Sequence, residues 1–517
     1  PDLVRGYSGF VSQSKPAVLR TSPYFDAIGV VPPDGFTITT GNDASLTFNA
    51  TVRSRLLRWD VPDSVRAFGI GFVVSLLGGG LTNPVPTGSI EMTNSGASGK
   101  GYDCCRTKQI ALTNHWSEVC DYVQNYRRHE PPIFTYMHKK GEILPTFKAD
   151  NQTRPIVYPP THFYVLQKVH TQELDKRMKE SRTWFSYGKS VLRGHFNEIA
   201  YSLQTYRHLF KGDCTKFDSS IGPSAFSVIR DIRKALSSTR SHDALDFVYD
   251  VLSSKLVQYP TTHLIFDDRQ PSGQACTTSD NSLFHAFVIS ASYALHFETI
   301  NGRLPTIGEV HDKLCVYLYS DDHIGATTDS AFSTFACRSA LYARFGCTLK
   351  ADDDQSGGNL QDYVYLGGSF VRHPHLRQFF VYHYIDELIF DLLPLTTARS
   401  TQAEIAQTLC SLAQLIATSE EKYNKVHQLV GALRSLPGWT VAISLPSREI
   451  LLSSYLQLET NVGPSLHLPA FGYLFGSREH APRSVRGAAS PLKLYNMDSI
   501  NLAPNVKGKR NVPKRLQ

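Results

Sequence analysis

Residues 314–326 place two successive carboxylates between two short apolar runs. Leu314 to Tyr319 and His323 to Ala326 read as strands around a tight turn, so Asp321 and Asp322 belong to the tip of a hairpin. Adjacent carboxylates repel, and holding them at the end of two apolar strands is costly. A divalent cation removes that cost, and Mg2+ prefers hard carboxylate oxygens together with water and phosphate. Asp-Asp pairs are also common on solvated surfaces, so the string needs a second acid nearby before it means chemistry.

Asp213-Cys-Thr-Lys-Phe-Asp218 supplies one. His208 to Cys214 reads as a strand, with Asp213 near its end and Asp218 in the following turn. If this strand lies beside the hairpin, Asp213 and Asp321 share two metal ions, the arrangement that stabilises both oxygens of an in-line phosphoryl transfer. Between the clusters lies Pro271-Ser-Gly-Gln-Ala-Cys-Thr-Thr-Ser-Asp-Asn281. Ser272-Gly273 reads as a loop in which backbone approaches a ligand closely. Thr277 to Ala294 reads as a helix. Thr277 and Asn281, four apart on it, present a hydroxyl and an amide on one face. Such a pair suits a sugar hydroxyl, and it equally suits a capped helix with a polar surface.

The 517 residues are 41% hydrophobic and carry 53 Lys and Arg against 46 Asp and Glu, a net +7. That permits nucleic-acid binding without demanding it. No run of ~20 apolar residues offers a membrane span, and the shorter run Phe68 to Leu77 reads as a buried strand or helix. The nine cysteines lack the C-x2-C spacing of a zinc site, and Cys104 and Cys105 are adjacent. Reduced thiols in a cytosolic protein are the simplest reading, which makes the sequons at Asn49 and Asn151 chance. Residues 1–60 read as an extended segment, 84–101 as loop, and 331–345 as an amphipathic helix. Helices are expected over 403–417, 420–436 and 448–458. The basic end (Lys507, Lys509, Arg510, Lys514, Arg515) reads as a solvated terminus or as an RNA contact.

Asp-x4-Asp, then Ser-Gly-x3-Thr-x3-Asn, then Ser-Asp-Asp, in this order, resembles motifs A, B and C of viral RNA-dependent RNA polymerases. Within that family the chain is most similar to the picornavirus and calicivirus group, and the string Gly212-Asp-Cys-Thr-Lys-Phe-Asp-Ser-Ser220 looks especially calicivirus-like, with a yado-kari-type fungal virus as a candidate source. The resemblance implies that Asp213, Asp321 and Asp322 are catalytic metal ligands for two Mg2+ (or Mn2+) ions. It implies that Asp218, Thr277 and Asn281 sense the ribose 2′-OH, and that Ser272 and Gly273 form the loop around the incoming nucleotide. The basic stretch 168–189 resembles motif F, with Lys176, Lys179 and Arg182 meeting the triphosphate; a solvated charged helix is its alternative. Ser95 to Gly99 resembles motif G, which guides the template. Phe345 to Asp352 resembles motif D, yet Asp354 stands where the family often has a lysine, leaving Lys350 as the substitute general acid. Tyr365 to Phe370 resembles the primer-gripping motif E. Ser320 replaces the usual glycine before the two aspartates.

The implied fold is α+β, a right hand. Fingers would span 1–205 and 225–268. The palm, with an antiparallel sheet and RRM-like core, would span 206–224 and 269–385, and a helical thumb 386–517. The implied partners are RNA template, primer or product and NTPs, with a protein primer or other viral proteins as further candidates. The implied setting is a replication complex in the host cytoplasm, or a particle. A reverse transcriptase would place a bulky side chain at the 2′ position, which this sequence does not offer. A non-catalytic relative would have lost Asp213 or Asp321.

Overall fold

The computed structural model describes residues 20–38, 59–92, 96–102, 104–138, 143–146, 155–181, 184–258, 264–373, 376 and 378–456. The N-terminal extended segment (apart from 20–38 and 59–60), both sequons, Arg182, Ser95 and the basic tail lie outside these. The fold is α+β. At its centre is a four-stranded antiparallel sheet in the order Gln355–Ser356, His208–Gly212, Asp322–Thr327, Leu314–Tyr319. Both faces are covered, which is why its strands read as nearly continuous apolar runs. Phe210, Val316 and Leu318 enter one core cluster, whereas Leu209, Tyr317 and Ile324 enter another. Alternate side chains point to opposite faces, so each strand feeds both clusters.

Against the first face lies the helix Thr277–Asn301, buried over most of its length. It runs about two turns beyond the expected 277–294. A helix buried all round shows no amphipathic limit, and its end is set by Gly302, whose φ of 68° forms the left-handed cap. The apolar run around residue 70 is the helix Asp63–Leu76. It crosses the long helix so closely that a Cβ on Gly69 would stand 2.8 Å from the Phe287 ring. Trp59, just before it, stacks on Phe284 at 5.7 Å and on Phe287 at 5.8 Å.

A second sheet joins Pro155–Tyr158, Ile133–His138, Lys255–Gln258 and Leu264–Asp267 in that order, and the long helix Thr161–Glu180 follows its first strand in space. The segment around Phe185 adds to the outer strand of the central sheet. Leu318 N donates to Trp184 O at 2.7 Å and Ser186 N to Leu318 O at 2.8 Å. Beyond the central sheet, Val364–Tyr365 and Gly368–Arg372 form a hairpin through Leu366 and Gly367, both at positive φ as a two-residue turn requires, with Phe380–Tyr384 as third strand. The helices Gln402–Ile416, Glu420–Arg434 and Arg448–Ser454 pack on that side in the second cluster. The helix expected over 331–345 is only Phe335–Ala343. Asp329 caps a preceding turn, accepting from the Ala331 and Phe332 N–H groups, and Thr334 caps the helix proper. Among the described residues no helix is long and apolar enough to cross a membrane.

Candidate active site

The central register sets the site. Gly212 pairs with His323, so one further step brings Asp213 level with Asp322. The chain after Asp213 is held on its other side, where Thr215 N donates to Thr348 O at 2.8 Å and Lys350 N to Asp213 O at 2.9 Å. That pairing aims Lys350 back at the carboxylate, and its Nζ forms an ion pair with Asp213 Oδ2. Asp213 Oδ1 is buried and accepts no hydrogen bond from the described residues. Asp321 is pushed up to about 6 and Asp322 to about 7, in each case by burial first and by the Asp213 charge second. Three crowded acids, one with an orphaned buried oxygen, are what a divalent cation relieves. The hard-oxygen donor set of Asp213, Asp321 and Asp322 therefore fits Mg2+ or Mn2+.

The turn that carries the acids is strained and anchored. Ser320 has φ of 58°, a left-handed conformation that costs an L-residue about 1–2 kcal/mol. Three contacts from one helix hold it there. Ser320 N donates to Ser282 Oγ at 3.0 Å, His285 Nδ1 donates to Ser320 O at 2.9 Å, and Asn281 Nδ2 donates to Ser320 Oγ at 2.9 Å. Burial lowers the His285 imidazole to about 4, so it stays neutral and its Nε2 accepts from Tyr342 OH at 3.1 Å. The serine thus replaces glycine's conformational freedom with a hydroxyl that Asn281 can grip.

Asn281 also donates to Asp218 Oδ1 at 2.7 Å and accepts from Gln270 Nε2 at 3.1 Å. Burial raises the Asp218 carboxyl, and the bond from Asn281 opposes that rise. Asp218 and Asn281 therefore meet as expected, whereas Thr277 turns back on its own loop, donating to Pro271 O and Ser272 O at 3.1 Å each. Gly273 lies against Tyr158 and Val157, where a Cβ would stand 2.7 Å from Tyr158 Cβ, and its N donates to Val157 O at 2.8 Å. Ser272 is exposed on that loop.

The basic residues divide. Lys350 is at the acids. Lys179 stands over the Tyr187 ring at 4.8 Å, and Lys176 is exposed, lining an open groove with Asn83, Glu173 and Glu180. Asp354, the position where lysine was looked for, is instead an ion-pair partner of the fully buried Arg338, at 2.8 Å.

Several positioning residues escaped the sequence reading: Gln270, whose Oε1 is buried without a partner among the described residues, Ser282, His285, and a buried network around Arg233. Arg233 bonds Asp280 at 2.8 Å, Asp175 at 3.0 Å and Ser279 at 3.0 Å. Tyr249 and Gln274 also donate to Asp280, and Gln167 donates to Gln274 at 2.6 Å. The base of the 271–276 loop is thereby tied to the helix Thr161–Glu180. Gln274, Ser279 and Asp280 lie within the 271–281 string but at positions its motif leaves open, and the others act through partners distant in sequence.

Residues 96–381, more than half of the chain, match the family model described as viral RNA-dependent RNA polymerase. The non-structural polyprotein 1AB of Human astrovirus-4 is 24% identical over 234 residues, 43% of this chain and 16% of that polyprotein. That of Ovine astrovirus 1 is 26% identical over 250 residues, 45% of this chain and 18% of the polyprotein. The chain thus spans less than a fifth of these relatives. Among solved structures, the Sicinivirus 3Dpol RNA dependent RNA polymerase superposes with a TM-score of 0.66 at 14% identity, covering 86% of this chain and 98% of the other. At that identity the likeness concerns the fold, that of a right hand, and it agrees with the α+β expectation and with a picornavirus-like affinity.

Proposed function

Because the chain belongs to the viral RNA-dependent RNA polymerase family, we propose that it copies RNA from an RNA template. NTPs are added to an RNA 3′-OH, which attacks the α-phosphorus and displaces pyrophosphate. The observation that carries this reading is the convergence of Asp213 with Asp321 and Asp322, with a buried Asp213 oxygen left unpaired. Asp213, Asp321 and Asp322 would hold two Mg2+ or Mn2+ ions. When bound, such ions lower the pKa of the attacking hydroxyl and neutralise the triphosphate.

The chain's own residues do the rest. Asn281, fixed between Asp218, Ser320 and Gln270, offers a rigid polar surface to the ribose 2′-OH, the group that separates NTP from dNTP. Thr277 ties the Ser272–Gly273 loop to the head of the same helix, so nucleotide and loop share one support. Lys350 holds a proton beside Asp213; burial pulls its ammonium down, but the bond to Asp213 outweighs that and leaves it raised. Exchanging Asp213 for the leaving pyrophosphate would let Lys350 donate that proton. Lys176, Lys179 and Arg182 remain the candidates for the entering triphosphate. The central sheet with the 277–301 helix would be the palm, the Ile133–His138 sheet part of the fingers, and the C-terminal helices the thumb.

Extension of a labelled RNA primer on an RNA template tests the reading, with NTPs against dNTPs and wild type against Asp321→Ala. Extension with NTPs alone, lost in Asp321→Ala while RNA affinity persists, is the expected result. Extension by Asp321→Ala at most of the wild-type rate would refute the metal assignment, and efficient dNTP use would favour a reverse transcriptase.

A further inference from the structure

Away from the carboxylates, Cys104, Cys105 and His115 bring three soft donor atoms within 4.8 Å of one another. Cys104 Sγ is 3.5 Å from Cys105 Sγ and 3.7 Å from His115 Nε2. For tetrahedral zinc, Zn–S of ~2.3 Å and Zn–N of ~2.0–2.1 Å require edges of about 3.8 Å between sulfurs and about 3.6 Å between sulfur and nitrogen. These two edges agree with those lengths to within a few tenths of an ångström, and the third, from Cys105 Sγ to the imidazole, lies within 4.8 Å. His115 is further arranged as zinc-bound histidines commonly are: its other nitrogen, Nδ1, faces Glu118 Oε2 at 3.1 Å, which fixes the tautomer with Nε2 free to ligate.

We propose that Cys104, Cys105 and His115 form a Zn2+ site that joins residues 104 and 105 to 115, with water in the fourth position. Binding converts both thiols to thiolates and releases their two protons to solvent, while the imidazole ligates in its neutral form.

The site would act as a clasp on the loop that precedes it. Ser98 Oγ donates to Cys105 O and, at 3.3 Å, to Tyr102 O. Lys108 N donates to Gly96 O at 2.7 Å, and Thr161 N to Ser98 O at 2.9 Å. His115 stands at the junction of the helices Lys108–Asn114 and Trp116–Asn125. A cation joining residues 104 and 105 to 115 therefore closes the segment 104–115, to which Gly96 and Ser98, part of the stretch expected to guide template, are hydrogen-bonded. Spacing rules overlook it because adjacent cysteines with a histidine ten residues on match no common zinc pattern.

The test uses the full chain stripped of metal by a chelator and titrated with Co2+. The carboxylates of the candidate active site offer Co2+ only oxygen, so a thiolate-to-cobalt charge-transfer band in the near ultraviolet reports a thiolate site, and Cys104→Ser assigns it among the cysteines. The expected result is such a band, saturating at about one Co2+ per chain and erased by Zn2+. Cys104→Ser should abolish it. Glu118→Gln, a change at an exposed side chain that leaves all three donors in place, should weaken Co2+ affinity about 10–100-fold. Absence of the band, or its persistence undiminished in Cys104→Ser, overturns the proposal. So does a two-dalton mass loss without metal uptake, which would identify a Cys104–Cys105 disulfide.

Discussion

Ser320 concentrates the trade between strain and anchoring. Its left-handed backbone would suit glycine, yet its hydroxyl gives Asn281 a second acceptor beside Asp218. Two substitutions separate these effects. Ser320→Gly loses a hydrogen bond worth about 1 kcal/mol but sheds the strain. Ser320→Ala loses the same bond and keeps the strain, so it should be less stable than Ser320→Gly by about 1 kcal/mol. Chemical denaturation of the two variants measures the difference, and equal midpoints would show that the turn is not strained. Discrimination between NTP and dNTP should fall in both, since Asn281 loses the same partner in each. At this scale the sequence was most informative where chemistry demands fixed spacing: Asp213, Asp218, Asn281, Asp321 and Asp322 all converge. It was least informative for residues that act by reaching across the fold. Nothing in the text around Gln270 or His285 announces that one grips Asn281 and the other the turn. Lys350 could be named only as a substitute, because whether it or residue 354 reaches Asp213 depends on the 213–215 and 348–350 pairing.

Among the elements, the helix Thr161–Glu180 shows why the basic stretch was ambiguous. Its polar residues are partly core: Gln167, Thr171 and Asp175 are buried, and Asp175 joins the Arg233 network. Charge density along the chain cannot separate such residues from exposed Lys176. Replacing Arg233 by Met leaves Asp175 and Asp280 buried without their cation. We expect a loss of about 3–5 kcal/mol in denaturant unfolding; a loss under about 1 kcal/mol would mean the network is inert. The same helix carries a pH dependence. Burial holds His170 at about 4, below its ordinary 6.5. The unfolded chain then binds more protons than the folded one between those values, so this group subtracts stability as pH falls through that window. The slope from this one imidazole is at most about 1.4 kcal/mol per pH unit. His170→Gln should therefore flatten the acid side of the stability profile relative to wild type. Parallel profiles between pH 4 and 6.5 would remove His170 as a contributor. Strand and helix positions were legible wherever the apolar pattern had a period. Their ends were less legible: the helix expected over 403–417 is Gln402–Ile416, started by Thr401 as cap with Glu404 in its first turn.

Across the whole molecule, the N-terminal helix Asp63–Leu76 is bound to the active-site helix by the near contact of Gly69 with Phe287 and Ala291. Gly71, two residues on, has nothing within 4 Å of where its Cβ would stand. The same substitution should thus have opposite signs. Gly71→Ala should stabilise by about 0.5–1 kcal/mol through helix propensity, and Gly69→Ala should destabilise, with overpacking of about 1–3 kcal/mol exceeding that gain. Thermal unfolding of both settles it, and a shared sign would mean the two helices do not touch as described. The sequence could identify the apolar run as buried, but not its partner some 220 residues away, since no local pattern encodes which surface a helix meets.

That distance also orders events during synthesis. The central strand His208–Gly212 has neighbours at 322–327 and 355–356, and the apolar face around Gly69 has its cover near 287–291. At about 5–20 residues per second, a ribosome takes roughly 10–45 seconds to make the cover after the face has emerged. For that interval the nascent chain carries an open apolar helix, and a chain that stops before residue 322 owns Asp213 and Asn281 but no site for them to join.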